Sequence, residues 1–271
     1  MDRHATIPLR TGASMPALGL GTWELTHETA ATVCFAIEQG YRMIDTAVDY
    51  GSQSGIGDAL RDVDVPRTEI FLVAKVEEDD DGYDATRRYL DEMRQDYADL
   101  VLIHRPPPKG LGVRIWDGLV RARAEGYARE IGVSNYSIHE LRQLEKQVGE
   151  APVVNQIEWT PFGWSADMLR YCRERGVVIQ AYSPLTRGER LYDDGLRRVA
   201  ERVGATPAQV LLAWALQQGV APLPKANERE HLRENLGALG ITLAPEDVEE
   251  LDRMNEGYSA LGPALQYVEH G

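Results

Sequence analysis

The chain has 271 residues, with 29 Lys+Arg against 43 Asp+Glu and a formal net charge of −14. That sign repels polyanionic backbones, so neither nucleic acid nor an anionic membrane surface is an expected partner. A hydrophobic content of 43% and a charged content of 27% are those of a folded globular chain, and the length suits one undivided α/β barrel over residues 1–271.

The longest apolar stretches, such as residues 210–216, fall far short of the roughly 20 residues that cross a bilayer. Residues 1–10 are too polar for a secretory leader. Cys34 and Cys172 sit in apolar helical patterns and are expected to be reduced core residues of a cytoplasmic, monomeric protein. Only Lys75, Lys109, Lys146 and Lys225 are lysines, beside 25 arginines. A lysine kept inside an apolar run, as Lys75 is, asks for a chemical reason.

In chain order, the pattern begins with a hairpin, residues 6–9 and 14–15 around Thr11-Gly12. Strand candidates follow at residues 17–19, 43–45, 70–75, 100–104, 130–134, 153–158, 177–182 and 221–224. Amphipathic stretches separate them, the alternation expected of repeated βα units around a parallel sheet. Ser137-x-x-Glu140 and Thr206-Pro207-x-Gln209 read as capping boxes that start two of these helices. Gly40, Gly126 and Gly176 stand where helices end in a left-handed residue. The pattern predicts a (β/α)8 TIM barrel with an N-terminal β-hairpin. An open doubly wound sheet is the alternative, because periodicity does not report closure. An extra helical pattern lies within residues 183–204, in a βα loop long enough to be functional.

Barrel active sites form at the C-terminal ends of the strands. The polar residues there are Asp45, Lys75, His104, Ser134 with Asn135, Gln156 with Glu158, Tyr182 with Ser183, and Lys225. Any one of them alone is more simply a hydrogen-bonded structural residue; together, converging on one face, they point to chemistry. An ammonium beside a tyrosine stabilises its phenolate and lowers its pKa. Lys75 can act so on Tyr50, Asp45 can keep Lys75 charged, and His104 can donate to a bound oxygen. Such a set suits protonation of a carbonyl oxygen as hydride reaches the carbon. No Rossmann fingerprint or phosphate loop is present, so a dinucleotide must lie across the barrel mouth. There Ser134, Asn135 and Gln156 could bind a carboxamide, and Tyr182 could stack on a flat heterocycle.

These residues resemble the aldo-keto reductases over nearly the whole chain. The matching stretches are Gly40-Tyr-Arg-Met-Ile-Asp-Thr-Ala-Val-Asp-Tyr50-Gly51, Ala74-Lys75-Val76, Leu102-Ile-His104, Ile131-Gly-Val-Ser-Asn135, Val154-Asn-Gln156-Ile, Ala181-Tyr-Ser-Pro-Leu185, and Leu223-Pro-Lys225 with Glu234-Asn235. The resemblance implies a catalytic tetrad of Asp45, Tyr50, Lys75 and His104. It implies that Ser134, Asn135, Gln156 and Tyr182 hold a nicotinamide bordered by Gly21, Thr22 and Trp23. It places Ser183 and Leu185 on the pyrophosphate, and Lys225, Ala226, Asn227, His231, Glu234 and Asn235 at the adenosine end of NADP(H).

Four departures qualify that picture. Glu77 and Arg105 replace two tryptophans of the substrate pocket. They are expected to pair with each other, the rival reading being that Arg105 receives a substrate carboxylate. Trp23 is kept at the pocket wall, and Trp159 and Trp164 are expected to add apolar surface. Ala226 and His231 stand where the family has Ser and Arg for the 2′-phosphate, which weakens the preference for NADP(H) and admits NAD(H). A short, proline-rich loop at residues 105–112 and a modest tail predict an open site for small aldehydes and ketones.

The expected activity is therefore NADPH-dependent reduction of aldehydes and ketones, with Tyr50 as the general acid. A non-catalytic cofactor-sensing subunit and a Schiff-base lyase using Lys75 or Lys225 are the alternatives. No metal is expected, since His4, His27, His139 and His270 fall in no ligand spacing.

Overall fold

The computed structural model describes residues 5–25, 28–262 and 267, so His4, His27 and His270 lie outside the described residues. Strands β1 (Thr6–Pro8) and β2 (Ser14–Pro16) form the predicted hairpin, with Ile7 opposite Met15. Eight parallel strands follow: β3 (Leu20–Gly21), β4 (Met43–Asp45), β5 (Phe71–Val76), β6 (Ala98–Ile103), β7 (Ala128–Ser134), β8 (Val154–Glu158), β9 (Val178–Tyr182) and β10 (Ala221–Pro222). Each pairs with the next in chain order.

The helices are α1 (Thr29–Gln39), α2 (Gln53–Asp62), α3 (Gly82–Met93), α4 (Val113–Ala124), α5 (Ile138–Val148) and α6 (Ala166–Arg175), then α7 (Asp194–Val203), α8 (Pro207–Gln217), α9 (Arg229–Gly237) and α10 (Pro245–Asp252). Helix α7 is the extra helix expected between the seventh barrel strand and the helix at Pro207. Both capping boxes form, at Ser137/Glu140 and Thr206/Gln209.

Closure is made by a seam between the first and last barrel strands. Gly19 N donates to the Pro222 carbonyl at 3.1 Å, and Gly21 N to the Pro224 carbonyl, also at 3.1 Å. Pro222 and Pro224 have no N–H to return, so the seam carries hydrogen bonds in one direction only. The two glycines matter for their lack of a side chain. A Cβ on Gly21 would lie 2.8 Å from the Leu223 carbonyl oxygen, and one on Gly19 would lie 2.8 Å from the Leu223 side chain. The first barrel strand is residues 20–21, later than the expected 17–19, with Gly19 just before it joining the seam. Ala17 is still tied to the hairpin, its N–H donating to the Ala5 carbonyl at 2.8 Å.

The period-two alternation of each strand separates two cores. Met43, Phe71, Val73, Leu100, Leu102, Val154, Val178 and Leu223 pack inside the barrel, with Leu9 and Met15 of the hairpin region closing the floor. Ile44, Leu72, Ala74, Val76, Val101, Ile103, Ile157 and Ile179 face outward and pack in the layer shared with the helices. The same alternation carries upward. Asp45, Lys75, His104, Gln156, Tyr182 and Lys225 continue the inward rows of their strands and meet at the C-terminal mouth.

Candidate active site

Lys75 is 1% exposed and held from two sides. Its Nζ donates to Asp45 Oδ1 at 2.6 Å and to the Thr46 carbonyl at 3.2 Å, and lies 4.9 Å from the centroid of the Tyr50 ring. Burial pulls the Lys75 ammonium toward its neutral form, but the Asp45 charge and the Tyr50 phenol outweigh it, and its pKa stands above the ordinary lysine value. Tyr50 is delivered by a 3-10 turn, Val48–Tyr50, that follows β4 directly.

The tyrosine differs from the expectation of an acidified phenol. Burial raises its pKa, Lys75 opposes this through its charge and a hydrogen bond, and Asp45 and Asp49 reinforce it, so the net direction is upward. The ammonium is in place, but its partner Asp45 cancels much of its field. Tyr50 therefore carries its proton at neutral pH, the state a proton donor needs.

The predicted Glu77–Arg105 ion pair does not form. Glu77 Oε1 instead pairs with His104 Nδ1 at 2.8 Å. Burial raises the Glu77 carboxyl, but the hydrogen bond and charge of His104, with the charge of Arg105, bring it below the ordinary carboxylate range. His104 immediately follows β6 and aims inward like Leu102, so its ring reaches Glu77 on the neighbouring strand. Arg105 is exposed and makes no ion pair among the described residues, but its charge acts on both Glu77 and Tyr182 at the mouth. The His104 ring stands edge-on to Tyr50 with centroids 6.0 Å apart. Asp49 completes this corner: one ligating atom each of Asp49, Glu77 and His104 lie within 4.8 Å of one another. Sequence spacing could not reveal that grouping, because the three come from three different strand ends.

The residues expected at the nicotinamide form one network. Gln156 Nε2 donates to Asp45 Oδ2 at 2.8 Å and to Gln180 Oε1 at 2.9 Å. Asp45 is thus held by Lys75 on one oxygen and Gln156 on the other. Ser134 Oγ donates to the Gln156 carbonyl at 2.7 Å, and Asn135 Nδ2 to the His104 carbonyl at 3.2 Å. Tyr182 OH donates to Asn135 Oδ1 at 2.8 Å. Gln156 Oε1 accepts no hydrogen bond from the described residues. Thr22 is committed elsewhere: its hydroxyl donates to the Asp45 carbonyl at 2.9 Å and lies 2.9 Å from Ser52 Oγ.

Around the rim, Ser183, Thr186 and Arg187 take left-handed φ values of 47, 53 and 52° in the loop that starts residues 183–204. Leu185 is part of this turn, and the Arg187 guanidinium lies 4.3 Å over the ring of half-exposed Trp23. Of the residues expected at the adenosine end, Lys225 is half-buried, Ala226 buried, and Asn227 and His231 exposed. Glu234 is half-buried, and buried Asn235 sits in the same helix, α9. A cavity of about 480 Å³ opens beside them, lined by Asn227, Arg229 and Phe35 together with four glutamates, Glu24, Glu28, Glu228 and Glu230. A second cavity, of about 370 Å³, lies at the hairpin end of the barrel, lined by Thr6, Ser14, Arg42, Glu69, Asp99 and Leu236 among others.

Several functional contacts lie outside the sequence reading. Gln180 supports Gln156 from β9, and Ser52 joins Thr22 to Thr46, its Oγ 2.8 Å from Thr46 Oγ1, beneath the Asp45 turn. A polar residue on the inward row of β9 is a visible signal for Gln180. Ser52 offers none. The C-terminal segment is short, yet it is tied to the mouth: Ser259 Oγ donates to Glu158 Oε2 at 2.6 Å, and Ala260 N to Glu158 Oε1 at 2.7 Å. Trp159 is not pocket surface. It is fully buried in a stack with Trp214 and Tyr267, with Trp164 tilted against it, because its strand position faces the helix layer.

Comparison with known proteins agrees with this geometry. Residues 17–256 match the sequence model of the Aldo/keto reductase family. A glyoxal reductase of Bacillus subtilis is 36% identical over 93% of this chain and 93% of its own length. A 9,11-endoperoxide prostaglandin H2 reductase of Trypanosoma cruzi is 36% identical over 92% of this chain and 91% of its own. The crystal structure of a Bombyx mori aldo-keto reductase in complex with NADP superposes with a TM-score of 0.89 at 28% identity, covering 96% of this chain and 95% of that one. The inward rows of a closed parallel barrel, the buried Asp45–Lys75 pair under Tyr50, and these relationships lead to one assignment: the chain belongs to the aldo/keto reductase family.

Proposed function

We propose that the protein is an NADP(H)-dependent carbonyl reductase in which Tyr50 protonates the carbonyl oxygen of a small aldehyde or ketone. The observation that carries this reading is the buried Lys75 ammonium, 2.6 Å from Asp45 and 4.9 Å from the Tyr50 ring centroid. A reduced nicotinamide, when bound, supplies the hydride. Tyr50 gives up its proton to the oxygen, and the phenolate left behind faces the ammonium that Asp45 holds in its charged form. In this reading Gln156, Asn135 and Ser134 hold the carboxamide, with Tyr182 packed beside it. The cavity at Asn227 and Arg229 receives the adenosine. Trp23, Glu77 and Arg105 border the substrate, and unpaired Arg105 offers a charge to carbonyls that also carry a carboxylate. The similarity to a glyoxal reductase supports a small dicarbonyl as a first compound to test.

A Schiff-base reaction needs a neutral amine, whereas Lys75 is held charged by its buried partner. Replacement of Tyr50 by Phe removes the proton donor and little volume. Carbonyl-dependent oxidation of NADPH is expected to fall by about 10²- to 10⁴-fold, with cofactor affinity, read by fluorescence titration, nearly unchanged. Full kcat in Tyr50→Phe would refute the assignment.

A further inference from the structure

We propose that Asp49, Glu77 and His104 form a site for one divalent cation of the Zn²⁺ class, and that this cation competes with the carbonyl substrate. The competition rests on the carbonyl reduction proposed above; the binding does not. Along the chain the three residues show no ligand spacing, but the barrel gathers them from the ends of three neighbouring strands, β4, β5 and β6. One ligating atom of each lies within 4.8 Å of the other two. A tetrahedral site with bonds of about 2.0–2.2 Å spaces its ligand atoms roughly 3.3 Å apart. His104 Nδ1 and Glu77 Oε1 are already 2.8 Å apart. The adjustment falls on Asp49, which is exposed in the Val48–Tyr50 turn and whose carboxylate makes no hydrogen bond or ion pair among the described residues.

The charges and the ring both point to a ligand. Two carboxylates face one imidazole with little to balance them: the Lys75 ammonium is spent on Asp45, and Arg105 acts on Glu77 without forming an ion pair. His104 is 6% exposed, and its second ring nitrogen has no partner among the described residues. A divalent cation relieves both conditions. Glu77 is held in place by its N–H, which donates to Asp80 Oδ2 at 3.0 Å, and Asp80 is held in turn by Arg88 and Tyr89. Asp80 therefore braces the turn and is not a rival ligand. One imidazole and two carboxylates, with no thiolate, suit Zn²⁺ or Co²⁺, whereas Mg²⁺ and Ca²⁺ prefer all-oxygen sets. A cation here lies beside Tyr50, whose ring centroid is 6.0 Å from that of His104, in the space a carbonyl oxygen enters to meet the Tyr50 hydroxyl. Cation and carbonyl exclude each other.

The binding test does not depend on turnover. Co²⁺ titrated into the cofactor-free full chain is expected to give visible absorption bands of a four- or five-coordinate ion that saturate at one equivalent and vanish on addition of Zn²⁺. Asp49→Asn and Glu77→Gln are each expected to weaken Co²⁺ binding by about tenfold or more, whereas Asp79→Asn, in the same acidic run but outside the triad, leaves it unchanged. With NADPH saturating, Zn²⁺ at about ten times its dissociation constant is expected to raise the carbonyl KM roughly tenfold without lowering kcat, and EDTA to reverse the effect. No saturable Co²⁺ band, or equal binding in wild type and Asp49→Asn, overturns the site; a fall in kcat at constant KM overturns the competition. Asp49 is exposed, so its variant decides the matter if Glu77→Gln fails to fold. A protein that binds Co²⁺ as described yet reduces no carbonyl would refute the proposed function and leave the site standing.

Discussion

At the scale of the residue, the site is built on one buried ion pair whose partners differ in what secures them. Asp45 has two donors, Lys75 and Gln156, whereas Lys75 depends on Asp45 for its countercharge. Replacing Asp45 with Asn keeps the shape and removes that charge, leaving an ammonium buried without compensation. The expected cost is about 3–5 kcal/mol, read as a fall in Tm on thermal unfolding. An unchanged Tm would show that the pair is not fully desolvated. The pH dependence has a definite sign. Because the folded-state pKa of Lys75 is above its unfolded value, the stabilisation is full below about pH 10.4 and is lost as pH rises through the folded value. The stability gap between wild type and Asp45→Asn therefore narrows in strong alkali. That Asp45, Tyr50, Lys75 and His104 gather at one mouth was legible from residue type and position. The partner of Glu77 was not, since two rim residues on neighbouring strands can turn toward or away from each other, and only the inward aim of His104 decides which meets the carboxylate.

Elements were legible where a local rule with a mechanism applied. Ser137 and Thr206 satisfy the free N–H groups of their helix starts within four residues of chain, so nothing distant can override them. Strand boundaries were less legible at β3 and β10, which are only two residues long and whose pairing depends on partners about 200 residues away in sequence. Helix α9 carries the prediction that belongs to this scale. Its first turn presents Arg229 and His231 near the cavity proposed for adenosine, and His231 is exposed. A guanidinium there pairs with a phosphate as a fork, which an imidazole cannot do. His231→Arg is expected to raise the ratio of kcat/KM with NADPH to that with NADH by roughly tenfold, measured with one aldehyde and both cofactors. An unchanged ratio would mean that the 2′-phosphate is not bound at this turn.

For the whole molecule, the decisive feature is the seam. Eight strands paired in sequence order could remain an open sheet; two glycine N–H groups meeting two proline carbonyls close it. Gly21→Ala puts a methyl group 2.8 Å from the Leu223 carbonyl oxygen and forces β3 away from β10. The expected cost is about 1–3 kcal/mol, seen in chemical denaturation, together with faster hydrogen exchange at Gly19 and residue 21. Loss of stability without a change in exchange at the seam would place the strain elsewhere. Closure also matters for the site, because Asp45 at the end of β4 and Tyr182 at the end of β9 face one another only across a complete barrel.

By itself, the sequence determined the alternation of strands and helices, the cap positions, and the set of polar groups at the strand ends. These depend on periodicity and on contacts within a few residues, which a linear reading can follow. Only the tertiary structure decided that the sheet closes, that Glu77 joins His104 and not Arg105, that Gln156 steadies Asp45, and that Tyr50 keeps its proton. Each of these is settled by distances between residues remote in the chain and by how much water the fold excludes around them, and neither quantity is written in local pattern.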